Sequence, residues 1–180
     1  KAGLLALLNL YVDQPDAVTI YEFDAPAHFF QVEIVQTQRD PTLLARMDRC
    51  VRAIIEAGGI ASFRHADVSI EDDVAALVSD TVEEYGRLDW AHNNAAAGSA
   101  PAPITAQQRA RWDRVLAVTL TGTMLCLKHE LLQLQRQGTG GAIVNTASVS
   151  GLIGQAHQSA YVAAKWGVIG LTKTAALENA

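Results

Sequence analysis

The sequence predicts an α/β fold, a doubly wound parallel sheet with helices on both faces. Three observations lead there. From about Arg39 onward, helix-period and strand-like apolar runs alternate along the chain. The strand-like runs are separated by helix-length segments, which parallel crossovers require and hairpins do not. Glycine, proline and asparagine fall between the runs, where turns belong. The chain has 180 residues, 49% of them hydrophobic and 18% charged, which suits about one domain with a sizeable core.

Taken in order, Pro41 to Ala57 reads as a helix, with Leu43, Leu44, Met47, Val51, Ile54 and Ile55 at helical spacing and Gly58-Gly59 ending it. Ile60 to Ala66 is a short strand, followed by Asp67-Val68. Ser69 with Asp72 resembles a capping box for a helix running to Tyr85, closed by Gly86. Leu88 to His92 is the next strand and enters Asn93-Asn94-Ala95-Ala96-Ala97-Gly98. Thr105 with Gln108 is read as the cap of a long helix reaching about Arg136. Gly138 to Gly141 is a turn, Ala142 to Thr146 a β-branched strand, and Ser159 to about Glu178 the last helix. The first 38 residues do not fit this alternation. Lys1 to Leu10 reads as a short helix, and Ala17 to Phe23 and Phe29 to Gln36 as strands. Asp24 to His28 is too short for a parallel crossover, so a hairpin is expected. The predicted organisation is therefore an N-terminal segment over 1–38 and an α/β domain over 39–180.

Composition excludes several classes. The 14 basic and 19 acidic residues leave a net charge of −5 with no basic cluster, which argues against nucleic acid as a partner. No apolar run reaches the ~18 residues of a membrane span, and no signal peptide is evident. Cys50 and Cys126 are too few for a disulfide framework and suit a reduced, cytoplasmic setting. His129-Glu130 begins like a zinc-protease motif, but Gln133 stands where the second histidine must be, so no catalytic metal is expected.

The chemistry-bearing pattern is Tyr161-x-x-x-Lys165, with Ser148 thirteen residues upstream. A tyrosine and a lysine four apart share one helix face. The ammonium can stabilise a phenolate, and a phenol so placed can exchange a proton with an alcohol or carbonyl oxygen. Ser148, on a loop after a strand, could hydrogen-bond the same oxygen. A lone pair of this kind is more often a buried ring beside a solvated lysine; its surroundings give it weight.

Asp67-Val68 after one strand, Asn93-Asn94-Ala95-Ala96 after the next, Ala142 to Ser148, Tyr161-x-x-x-Lys165 and Gly167 to Lys173 follow one another in an order and at a spacing that resemble the central portion of the short-chain dehydrogenase/reductase family, of the "classical" type. The resemblance spans Arg39 to Ala180 and implies a Rossmann-like domain that binds NAD or NADP. It implies Tyr161 as general acid/base, Lys165 as the residue that favours its ionised form and holds the nicotinamide ribose, and Ser148 as the group polarising the substrate oxygen. Asp67 and the Val68 backbone would meet the adenine; Asn93, Asn94 and Ala95 would line the adenosine and ribose side. Thr119 stands where the family has a catalytic asparagine that holds a water. The family's glycine-rich cofactor loop is missing: Gly3 is the sole glycine before Gly58. The family's last strands and substrate-binding region are missing too, so the expected domain is incomplete at both ends.

Thr37-Gln38-Arg39-Asp40 falls where the family sets cofactor preference. An acidic group there favours the NAD ribose and Arg39 suits an NADP phosphate, with a slight lean to NAD. The expected activity is interconversion of a secondary alcohol and a ketone by hydride transfer, acting on a small molecule in a homo-oligomer, dimer or tetramer, paired through the two long helices. The alternative is a noncatalytic, truncated relative that acts only as an oligomerisation or binding partner.

Overall fold

Runs of aliphatic residues with little alternation suit strands buried on both faces of a parallel sheet, and the first such run, Gly3–Leu7 (β1), takes the central place. The computed structural model describes residues 3–7, 29–33, 41–56, 58–98 and 100–180. Its five strands are β1, β2 (Phe29–Glu33), β3 (Ile60–Ser62), β4 (Trp90–Asn93) and β5 (Ala142–Asn145), in the order β3-β2-β1-β4-β5, with every pairing parallel. The helices are α1 (Pro41–Glu56), α2 (Glu71–Tyr85), α3 (Arg109–Leu116), α4 (Gly122–Gln137) and α5 (Ser159–Glu178).

The strand order sets the faces. From β2 to β3 the chain moves away from β1 in one direction, and from β3 to β4 and β4 to β5 in the other. Right-handed crossovers then put α1 on one face and α2, α3 and α4 on the opposite one. This is the doubly wound arrangement expected from the sequence. Between α2, α4 and the sheet lies the main core, built from Val68, Val74, Leu77, Val78, Leu88, Ala91, Leu125 and Cys126. The helices α2 and α4 end at Gly86 and Gly138, both left-handed, whose N–H groups donate to Val82 and Leu134 carbonyls.

Several expectations are corrected. Lys1 to Leu10 does not hold a helix over Gly3–Leu7, which is strand. Phe29–Glu33 is a strand as expected, but its two sheet neighbours are β1 and β3, both parallel, so it is not one arm of a hairpin. Its expected partner, Ala17 to Phe23, lies outside the described residues. β1 and β2 lie in one sheet with β3, β4 and β5. Neither capping box forms. The N-cap of α2 is Ile70, while Ser69 turns back to Asp67. Thr105 lies in a 3-10 turn, Ile104–Ala106, and α3 begins four residues later at Arg109.

The long helix expected to reach Arg136 is continuous but interrupted in register. A π-helical segment, Ala117–Thr121, joins α3 to α4. Arg109–Gln137 is 29 residues and, by length and composition, apolar enough to cross a membrane; half of its apolar window is buried inside the domain, as a core helix would be.

Candidate active site

The carboxyl ends of β4 and β5 lie side by side, and the segments that leave them carry most of the residues singled out from the sequence. Asn93 ends β4, and its carbonyl accepts from the Thr146 N–H at 2.9 Å, prolonging the β4–β5 ladder by one bond. Thr146, Ala147 and Ser148 follow β5, and the chain then tightens into a 3-10 turn, Val149–Gly151. Ser148 is extended and caps that turn: its Oγ accepts from the Ser150 N–H at 3.2 Å and donates toward Ser150 Oγ at 3.3 Å. Buried Ser150 in turn donates to Gln155 Oε1 at 2.6 Å.

Tyr161 and Lys165 lie in the first two turns of α5. The small residues Ala160 and Ala164, both fully buried with Val115, bring α5 close to α3, and the Tyr161 ring packs against this cluster with Trp112, Leu116 and Leu120. Lys165 is only 2% exposed. Its Nζ donates to the Thr146 carbonyl at 2.6 Å and sits 5.7 Å from the centroid of the Tyr161 ring. Burial pulls the Lys165 ammonium down to about 8. Lys165 thus binds the strand end two residues before Ser148 and touches the tyrosine on its own helix face, as the four-residue spacing predicts.

The loop before α5 is tied to its surroundings. His157 adopts φ 65°, a left-handed conformation uncommon outside glycine and asparagine, and its carbonyl accepts from the Ala102 N–H at 3.1 Å. Ser159 Oγ donates to Gln107 Oε1 at 3.4 Å.

Thr119 is fully buried in the π-helical segment. Its Oγ1 accepts from the Ala97 N–H at 3.0 Å and lies 3.5 Å from the Ala97 carbonyl oxygen, so this hydroxyl fastens the loop after β4 to the helix. Such π segments recur at functional sites. Asp67 follows β3. Its Oδ1 accepts from Ser69 N at 2.9 Å and Ser69 Oγ at 2.6 Å, and its own N–H donates to Asp73 Oδ2. Val68 is buried in the main core. Of the Asn93-Asn94-Ala95 run, Asn93 and Ala95 are buried and Asn94 is half-buried. The Asn93 amide turns inward, donating to Glu130 Oε2 and to Asn145 Oδ1, each at 2.9 Å.

Sequence reasoning missed that inward set. Asn145 Nδ2 donates to Thr172 Oγ1 at 3.0 Å, which donates to the Val168 carbonyl at 2.7 Å. The available signal was Glu130 itself, a carboxylate on the apolar stripe of its helix, one turn from Cys126 and Leu134. His92 was also missed; its Nε2 is 2.8 Å from Thr146 Oγ1, and burial lowers its pKa.

The described part of this site suits a dinucleotide. Sheets of this order bind such ligands where the strand order reverses, here between β1 and β4, at the carboxyl ends of the strands. Lys165 brings to the site a buried cation that pairs with no carboxylate among the described residues, ready for an anionic or hydroxyl oxygen. The turn after β1, where a pyrophosphate cradle would be sought, lies outside the described residues.

Comparison with known proteins fits this geometry. The sequence pattern of the family described as short chain dehydrogenase matches residues 32–180. The chain is similar to the 2,5-dichloro-2,5-cyclohexadiene-1,4-diol dehydrogenase of Sphingobium indicum, 41% identical over 132 residues that cover 73% of this chain and 53% of that protein. Among solved structures it is similar to a short chain dehydrogenase from Mycobacterium smegmatis, with TM-score 0.80, 30% identity and coverage of 99% of this chain and 72% of that one. It is also similar to NAD+-bound xylitol dehydrogenase, with TM-score 0.74, 31% identity and coverage of 83% and 55%. The chain spans about half the length of the curated relatives it matches. A parallel sheet of this order and a family match over residues 32–180 place the chain in the short-chain dehydrogenase family.

Proposed function

We propose that this chain serves an NAD(P)-dependent oxidoreductase that interconverts a secondary alcohol and a ketone by hydride transfer. One observation carries the reading: the buried Lys165 ammonium, held on the Thr146 carbonyl 5.7 Å from the Tyr161 ring, has no carboxylate partner among the described residues. A buried cation without a counterion favours negative charge on whatever oxygen comes beside it. The Tyr161 phenol is the oxygen its helix offers.

In this reading Tyr161 exchanges a proton with the substrate oxygen, and Lys165, beside the Tyr161 ring, hydrogen-bonds the ribose. Ser148 turns its hydroxyl from Ser150 to the substrate oxygen. Asp67, the Val68 backbone, Asn94 and Ala95 hold the adenosine side, while Asn93 acts through the strand end it fixes. Thr119 takes the asparagine's place by fastening the loop at Ala97, and a water beside it completes the proton path. The nicotinamide supplies the hydride chemistry when bound. We keep the lean to NAD, which the NAD+-bound xylitol dehydrogenase supports as a cofactor type within this fold. The ring-borne diol in the name of the Sphingobium relative makes cyclic secondary alcohols and their ketones the first substrates to screen. Two cysteines, Cys50 and Cys126, are too few for a disulfide framework, which supports residence in the reducing cytoplasm.

Titration with NADH and, separately, NADPH, following nicotinamide fluorescence, tests the cofactor; saturable binding at micromolar concentration is expected. No binding up to millimolar cofactor by the folded chain would overturn the proposal. The double change Tyr161→Phe with Lys165→Met should abolish turnover and leave the fold, and undiminished turnover would remove these residues from the chemistry.

A further inference from the structure

Glu130 is the one residue of the inward hydrogen-bond set that can carry a charge, and it is 1% exposed. Asn93 spends both amide hydrogens, one on Glu130 and one on Asn145, and its Oδ1 is buried with no hydrogen-bond partner among the described residues. A carboxylate offers that oxygen nothing, whereas a carboxylic acid brings an O–H donor to the pair. Among the described residues no counterion approaches either. On α2, Glu71 binds Lys128 and His129, Asp73 binds the Asp67 N–H, and Asp80 and Glu84 bind Arg64. Tyr85 of α2 binds Ser62, and Asp72, Glu83, Lys173 and Glu178 are exposed. On β4, His92 binds Thr146 Oγ1, and on α5, Lys165 binds the Thr146 carbonyl. Burial pushes the Glu130 carboxyl up to about 7, against a smaller opposing effect of the Asn93 bond.

Three hydrogen bonds, joined through the covalent frames of Asn93 and Thr146, link Glu130 to Lys165. Glu130 accepts from the Asn93 amide, the Asn93 carbonyl accepts from Thr146 N–H, and the Thr146 carbonyl accepts from Lys165 Nζ. We infer that Glu130, as a neutral carboxylic acid paired with Asn93, is a positioning residue that sets the Thr146 carbonyl and through it the Lys165 ammonium. Ionising Glu130 buries an unpaired charge beside Asn93 and shifts the ends of β4 and β5 on which Lys165 rests. The consequence for turnover rests on the proposed function; the coupling between Glu130 and Lys165 does not.

The two are separated by experiment. In the chain with 13C-labelled lysine side chains, the Lys165 resonance should show a step at the pH where the infrared band of the protonated Glu130 carboxyl disappears, besides its own titration. Glu130→Gln, whose amide offers both a donor and an acceptor to Asn93, should abolish the step and keep the titration. A Lys165 resonance with no such step, or one that persists in Glu130→Gln, overturns the inference whether or not the chain binds cofactor. If NADH binds and turnover is found, kcat of the wild type should fall as pH rises through Glu130's titration while KM holds, and Glu130→Gln should remove that fall. Glu130→Leu should lower kcat by up to about 100-fold, the scale of a ~1 Å misplacement. Failure of cofactor binding alone sinks the proposed function and leaves the coupling standing.

Discussion

Thr119 shows how one hydroxyl can hold two elements together. Its Oγ1, on a fully buried residue, is the acceptor for the N–H of part-buried Ala97. Thr119→Val keeps the shape and removes the acceptor, leaving a part-buried N–H unpaired at a cost of about 1 kcal/mol. Urea unfolding should show that loss, and an unchanged midpoint would mean the Ala97 N–H finds another partner. At this scale the legible residues were those whose spacing alone encodes a shared face: Tyr161 and Lys165 meet because they are four apart on a helix. Glu130, Asn93, Asn145 and Thr172 come from four elements, and no spacing in the sequence joins them. Asn93 and Asn94 could be noticed as a pair, but not that the first turns inward.

Among elements, α4 comes close to the segment after β3. A Cβ built on Gly122 would stand 2.5 Å from Val68 Cγ2 and 3.3 Å from the Val68 carbonyl oxygen, with both residues buried. Gly122→Ala should therefore cost about 1–3 kcal/mol by overpacking. Combining it with Val68→Ala should give back part of that cost, because the clash is with one side chain. A double-mutant cycle by chemical denaturation reads the coupling, and strict additivity would place the strain elsewhere. Three of the four long helices were legible from glycine stops, at Gly58, Gly86 and Gly138. The first strand was not. Leu4-Leu5-Ala6-Leu7 has good helix formers and no alternation, so no period marks it as a strand. The two capping boxes failed because Ser69 found a nearer acceptor in Asp67, and because the chain spends Thr105 in a separate 3-10 turn.

For the molecule as a whole, two buried groups give stability a pH dependence of opposite sense. The Glu130 pKa is raised from 4.5 to about 7, so the stability it contributes is complete below 4.5 and is lost as pH rises to about 7. The Lys165 pKa is lowered from 10.5 to about 8, so its contribution is complete above 10.5 and is lost as pH falls to about 8. Both penalties are therefore present together between about pH 7 and about pH 8. Thermal unfolding should show that Glu130→Gln raises the midpoint at about pH 8 far more than at about pH 4, by a difference on the order of 3 kcal/mol. Equal gains at both values would mean Glu130 titrates normally. We also propose that α4 and α5 pair with a second copy, through the open groove lined by Leu120, Met124, Gly167 and Leu171. Met124→Glu should then convert the species seen by sedimentation to a monomer, and a wild type already monomeric at high concentration would end that reading.

The central position of β1 also has a history in time. Leu4 pairs on one side with Phe30 and on the other with Trp90. At a synthesis rate of about 5–20 residues per second, its second neighbour emerges roughly 3–12 seconds after the first. Through that interval one edge of a nascent leucine-rich strand has no partner, and an unpaired edge invites another chain. Yield in a cell should thus depend on chaperone supply and on slow elongation between β3 and β4, a vulnerability of the ribosome-bound chain that the finished sheet no longer displays.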